Sequence, residues 1–424
     1  MRKLPHVKSL LSLLRGKRRA DPQAVEADGM PNIAEHVTDA GYYQEVSFRY
    51  SSAQVVCIML LAVFLAVSLM TNASLLSADN FIYFVKDLTN SISLRESEAK
   101  DTMVFSADEN NHHALYRDGL AVLGQQKLTV FTATGREAHS HLLSYRHPRL
   151  ASSGRYLVAY DLGGKSVSLY NSFTCVKEIT TEYAVRFVEA CNKGYYCVIT
   201  DGAEYASEVV LYDESHRRIN RYRLEEYTLC ADIKEDASEM MLVSVSAEQG
   251  RMTTHVAFAV PGKSEWSCRF AVSDAYPVAC HYTDEENILL LTTDSLRLYS
   301  ADGELLNTQL LGEADIRSFR VDENGCVLIT RANAYDATAR VVAFDKTANQ
   351  VYNVLVEDPL YDACYLNGTL ALLGEKKLIV YQNHSNDDVT ELTFQGTYHK
   401  VLAYEDGGEL LLCGDAKAIV VKPD

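Results

Sequence analysis

Three polar residues stand in short segments where strand-forming and small residues otherwise prevail. They are Asp232 in Leu229-Cys-Ala-Asp232, His281 in Val278-Ala-Cys-His281 and Asp362 in Asp362-Ala-Cys-Tyr365. Carboxylates near an imidazole are the groups that move protons and hold cations. The Ala and Cys around them suit strands that converge on an axis, so the three residues are expected to form a polar axial site. No catalytic, cofactor-binding or metal-ligating set is assigned, and no cofactor is expected.

Other constellations point to ordinary structure. There is no P-loop, no GxGxxG opening a helix, no GxSxG elbow, no HExxH, no CxxC and no EF-hand loop. His112, His113, His139, His141 and His147 cluster in sequence with Asp108 and Glu109. They offer metal-ligand chemistry at a blade edge, but read better as loop residues. The acids of 284–286 and 322–324 could hold calcium, and turn chemistry accounts for them more simply. Nine of the ten Cys follow residue 101, and most fall in apolar runs as small buried hydrophobes. Cys191 and Cys197 flank one turn and are the candidate pair for a disulfide.

The elements that must position these residues repeat. An apolar run ending in an aromatic recurs at Phe131, Tyr170, Tyr212, Phe258, Tyr299, Phe344 and Tyr381, in steps of 39, 42, 46, 41, 45 and 37 residues. Polar turns ending at Gly119, Gly154, Gly194, Ser238, Asn287, Gly325, Gly368 and Gly408 keep the same period, and an apolar strand follows each. A period near forty with several short strands per repeat is the signature of a β-propeller blade. The last repeat lacks an outer strand, and Thr102-Met-Val-Phe-Ser106 is a spare one that can close the ring. The expected fold is therefore all-β: an eight-bladed β-propeller over 101–424, with seven blades as the alternative. A β-sandwich or β-helix is the other architecture such strands allow.

Ahead of the repeats, residues 51–78 carry no charge, and 55–70 are nearly all apolar. That is enough chain to cross a bilayer once as a helix, placed near 53–73. It starts too far in to be a cleaved signal peptide. The seven Lys and Arg among residues 2–19, with no acid between them, place the N-terminus in the cytoplasm. The reading is a cytoplasmic basic tail at 1–50, acidic and turn-rich after residue 20, then a transmembrane signal-anchor at 51–76. A juxtamembrane stalk helix at 77–100 and an extracytoplasmic propeller at 101–424 follow. Leu4, Val7, Leu11 and Leu14 fall at helical spacing among basic residues and could lie on the inner leaflet.

Formal net charge is −17. Residues 1–50 hold eight basic and six acidic residues, which leaves 32 and 51, a net of −19, for the rest. Nucleic acid is excluded as a partner of so acidic a ring. A cationic or neutral protein or envelope polymer suits it.

The apolar helix, the run at 79–88 and the repeats together resemble bacterial membrane-anchored β-propellers of the WD40-like/quinoprotein-like superfamily. More narrowly, they resemble an uncharacterised family of Clostridia-type bacteria. The resemblance implies place and fold and transfers no catalytic residue. The docking-repeat tryptophans of quinoprotein dehydrogenases, the Asp-boxes of sialidases and the Gly-His and Trp-Asp pairs of WD40 proteins are all missing; Trp266 is the one Trp. The function expected is binding at the cell membrane rather than catalysis. A propeller lyase or hydrolase is the alternative, and it would need acids, His or Tyr from several blades in one axial pocket.

Overall fold

A computed structural model describes residues 37–71, 85, 102–107, 111–248, 250–312, 315–331, 338–404 and 408–423. The basic tail helix expected at 4–14 and nearly all of the stalk at 77–100 lie outside them. The chain divides into two units, at residues 1–75 and 76–424.

The first unit holds a 35-residue helix, Val37–Thr71. Residues 37–50 are thus helical where an acidic, turn-rich tail suggests irregular chain. The last proline before the apolar run is Pro31, so nothing stops a helix begun in that run from growing backward; each added residue gains a hydrogen bond at no new nucleation cost. The window Ser47–Phe64 is long and apolar enough to cross a membrane, with mean hydropathy 1.5. Its Val55, Ile58, Leu61 and Phe64 are exposed on several sides.

The second unit is an eight-bladed β-propeller. Eight separate four-stranded antiparallel sheets follow one another along the chain. Seven are simple meanders: blade one at 112–142, two at 148–180, three at 185–224, four at 227–273, five at 277–310, six at 316–356 and seven at 360–393. Blade eight takes its inner three strands from 400–421 and its outer strand from Thr102–Val104. The closing pairs are Thr102 with Ile419, Met103 with Ala418 and Val104 with Lys417. Met103 turns inward, 2% exposed, and joins Leu120, Val122 and Phe131 of blade one and Leu411 and Cys413 of blade eight. Ring closure leaves no open sheet edge between the first and last blades.

The repeated sequence signals take repeated places. Each run ending in an aromatic is the third strand of its blade, and each polar turn joins the first strand to the second. At Gly119 and Gly325 the second strand starts so close to the third that an added Cβ would meet the carbonyl oxygens of Phe131 and Phe344; Gly325 also has φ of +143°. Glycine is required there. The core lies between blades rather than in one centre. Ile199, Val209 and Leu211 of blade three, for example, pack on Ile233, Met240 and Leu242 of blade four. Each such side chain, fully buried, contributes on the order of 1.5–3 kcal/mol.

The tight turns between first and second strands also hold one another. Arg117 of blade one donates to the carbonyls of Gly154 and Arg155 in blade two, at 3.0 and 2.7 Å. Arg155 donates to Lys193 O of blade three at 3.0 Å, and Lys193 to Asp236 O of blade four at 3.0 Å. Lys234 then reaches Glu286 of blade five at 3.1 Å. Each step spans about one repeat, so the turns form a chain of contacts around one face.

Candidate functional site at the propeller axis

The innermost strand of each blade is the first, and its last residues meet at the face bearing these turns. Asp232 is the last residue but one of the innermost strand of blade four, Tyr227–Ile233, and is buried. One oxygen, Oδ2, accepts the backbone N–H of Tyr282 in blade five at 2.6 Å and lies 2.9 Å from His281 Nδ1. The other, Oδ1, accepts the N–H of Ile233 at 2.8 Å. His281 Nε2 points on to Glu323 of blade six at 3.5 Å. Blades four, five and six are thus joined by one carboxylate–imidazole–carboxylate line.

Two further acids crowd it. Glu189, on the innermost strand of blade three, is pushed up to about 8 by burial and then by the Asp232 charge, with His281 opposing. Glu235 accepts the N–H of Asn192 at 2.7 Å and is also raised, by burial first. Burial alone would lower His281, yet Asp232, Glu323 and Glu189 together hold it well above the usual imidazole range. Glu323 is lowered, chiefly by its contact with His281.

Asp232 and His281 therefore meet, and Asp362 stands apart. It lies three blades on from Asp232, where its Oδ2 accepts the N–H of Val401 in blade eight at 3.0 Å and pairs with Arg320 of blade six at 3.1 Å. Arg320 also donates to Val401 O at 3.0 Å, so it spans from blade six to blade eight. The two aspartates do the same work at different positions. Each takes a backbone N–H from the next blade, and each is balanced by a cationic side chain. Glu189 and Arg320 were not singled out by sequence. Their signal is a charged residue on an innermost strand, and it looks like ordinary alternation until the ring places it.

Below Asp232 and His281 lies a pocket of about 400 Å³ lined by Asp232, Glu235, Asp236, Asp284, Glu286 and Glu323, with Lys234 and His281 as its cations. The acids of 284–286 are bridged by Lys346, 3.1 Å from both Asp284 and Glu285, and Asp322 caps its own turn through Asn324 N at 2.9 Å.

The histidines of blade one are dispersed. His112 and His113 lie on the innermost strand, His139 and His141 on the outermost, and Asp108 and Glu109 fall outside the described residues. Among the described residues no three side chains are grouped to ligate a metal. Cys191 and Cys197 are both free and buried.

One family pattern matches residues 93–422, taking in every strand of the ring. The chain belongs to a family of unknown function, DUF5711. No curated protein sequence matches this DUF5711 chain. Among solved structures, its propeller is similar to BamB from Moraxella catarrhalis. The TM-score is 0.52 at 9% identity, covering 76% of this chain and 99% of that one. It is similar also to the dihydro-heme d1 dehydrogenase NirN, with TM-score 0.53 at 11% identity and 83% of each chain covered. At such identities the likeness of the DUF5711 ring to both is one of fold.

Proposed function

We propose that this chain is a membrane-anchored interaction module: a propeller held outside the cytoplasm by one signal-anchor helix, with its N-terminal tail inside. The proposed division is a tail at 1–50, the anchor at 51–76, a stalk at 77–100 and the propeller beyond. The carrying observation is the pocket on the turn face, where six carboxylates from blades four to six face two cations. Such a pocket favours a lysine- or arginine-bearing segment of a partner protein or a cationic envelope polymer. The rigid ring supports it, because the turns that carry the acids are tied to one another by Lys193 and Lys234.

Carbodiimide crosslinking in intact cells tests this, since the reagent joins carboxylates only to amines in direct contact. The expected product links a peptide containing Glu235, Asp284 or Glu286 to an amine of another molecule, and it disappears in the charge-reversed variant Glu235→Lys with Glu286→Lys. Crosslinks that bypass these peptides, or that survive charge reversal, would overturn the reading.

A further inference from the structure

Three innermost strands carry a cysteine near the axial residues: Cys230 in blade four, Cys280 in blade five and Cys364 in blade seven. Only blades four and five are neighbours. Their innermost strands are parallel, since both run towards the turn face. The Asp232 carboxylate fixes their register by accepting the Tyr282 N–H at 2.6 Å, across a separation of 50 residues. Cys230 and Cys280 have the same separation and stand two places earlier on the two strands. They therefore face each other one step behind the Asp232 bond.

The pleat turns both thiols into the same seam. Cys230 pairs with Val243 and Asp232 with Met241, so Cys230 and Asp232 point the same way, towards blade five. Cys280 pairs with Leu290 and Tyr282 with Ile288, so Cys280 and Tyr282 point back towards blade four. The two cysteines share one buried cluster with Val243, Leu290 and Tyr282. Both thiols are free in the structure. They are near enough to act on each other directly: a side-chain hydrogen bond with Cys230, and then burial, hold the Cys280 thiol well above the usual thiol range. A disulfide needs two Cβ atoms that converge over a short span. Parallel strands held together by so short a bridge as one aspartate, with both cysteines aimed into the seam, meet that need.

We propose that Cys230 and Cys280 are a disulfide site that joins blade four to blade five directly behind the acidic pocket. The bond forms by exchange with a disulfide oxidant. One cysteine, as its thiolate, attacks a sulfur of the oxidant and releases the first oxidant thiol. The second cysteine attacks the mixed disulfide and releases the other. Two cysteine thiols are oxidised, one oxidant disulfide is reduced, and the two cysteine protons end on the two thiols released. Packing between the blades shields the pair from bulky reagents in the finished ring, so the bond is made as blade five docks on blade four. The pocket residues Ile233, Lys234, His281 and Tyr282 follow the two cysteines on their strands, so the bond fixes the spacing of groups that face a partner. In the cell the bond depends on the proposed placement of the ring outside the cytoplasm, where disulfides persist, and so rests on that reading.

The test has two arms, both on the full-length wild type. In the first, cells making the protein are quenched in acid, free thiols are blocked under denaturing conditions, and the unreduced digest is read by mass spectrometry. A peptide holding Cys230 joined to one holding Cys280 is expected. In the second, the reduced protein in detergent is held just below its melting temperature with dithiodipyridine, a small neutral disulfide, and digested in the same way. A link in the cells supports both the site and the placement of the ring. A link in the purified protein alone keeps the site and overturns the placement. No link in either arm, or a link of Cys230 or Cys280 to a different cysteine, overturns the site. Added reductant should lower the melting temperature of the linked ring by about 5 °C, as loss of a bond closing so long a loop does. The same reductant should leave Cys280→Ala unmoved; an equal drop there would also overturn the proposal.

Discussion

The Asp232 carboxylate of blade four accepts the backbone N–H of Tyr282 in blade five across 2.6 Å. The same oxygen lies 2.9 Å from His281 Nδ1. An innermost strand has only one sheet neighbour, so its free edge would otherwise present unpaired backbone groups to the axis. Asp232 satisfies one of them, and Asp362 does the same for Val401 N. The axial acids are thus first of all devices that join blades.

Removing Asp232 should therefore act on the fold. Asp232→Ala leaves the Tyr282 N–H without its acceptor and His281 without its buried counter-charge, an expected loss of about 3–5 kcal/mol. Asp232→Asn keeps an oxygen for the N–H and loses only the charge, an expected loss of about 1–3 kcal/mol. Denaturant unfolding of the two variants checks the order. Equal losses would mean that the backbone bond carries nothing beyond the ion pair.

Stability around this cluster should fall as pH rises from mildly acidic to mildly alkaline. Glu189 is raised from 4.5 to about 8 by burial and by the facing Asp232, with Glu235 adding and His281 opposing. A raised folded-state value means that stability is fully present below about 4.5 and is lost as pH climbs through about 8. His281, raised well above 6.5, gives the same sign over a more alkaline range. Glu323 is lowered and gives the opposite sign, with stability lost as pH falls below its ordinary value of 4.5. Glu189→Gln, neutral at every pH, should flatten the melting-temperature profile between about 4.5 and 8 and leave the variant more stable than the wild type at the upper end. An unchanged slope would place the titrating group elsewhere.

The ring was far more legible than its site. Strand order could be read because two local signals recur with one period: the aromatic closing each third strand, and the turn residue opening each second strand, forced at Gly119 and Gly325 by close backbone approach. Asp232 and His281 were visible as polar residues in otherwise apolar runs. Their partners were not, because Glu323 lies in an ordinary-looking turn and Glu189 and Arg320 sit in strands whose exposure already alternates. Only the ring brings residues some forty positions apart to one axis. Asp362 stands apart for a related reason: sequence shows an acid on an innermost strand in both blades, but not that Asp232 lies near the end of its strand and Asp362 near the start of its own, three blades away. The helical start at Val37 was hidden because its first turns carry no apolar stripe of their own and form by extension from the run behind them.

Ring closure should depend on residues 102–105. Met103 is 2% exposed within the cluster that seals blade eight to blade one, and Phe105 N bonds Ala416 O at 2.9 Å. Met103→Ala should cost about 2–5 kcal/mol, as truncation of a packed core side chain does. A chain begun after Phe105 would leave the strand Lys417–Val421 as an unpaired edge and should associate through it. Size-exclusion chromatography of the shortened ring checks this. A stable monomer melting at the wild-type temperature would show that the closing strand is dispensable.

The last prediction concerns the side of the membrane on which the ring stands. If the basic tail is inside, as proposed, and the chain crosses once through the helix Val37–Thr71, protease added to intact, wall-stripped cells should reach the segment between helix and ring. The closed ring, with its paired strands, should resist cutting. Cleavage within 77–100 would release a ring fragment and leave the helix in the membrane, whereas the opposite orientation exposes the basic N-terminal tail and protects the ring until the cells are lysed. An epitope at each end separates the outcomes: loss of the C-terminal epitope from the cell fraction with retention of the N-terminal one is expected. Loss of the N-terminal epitope with retention of the C-terminal one in intact cells would reverse the proposed orientation and confine any partner of the acidic pocket to the cytoplasm.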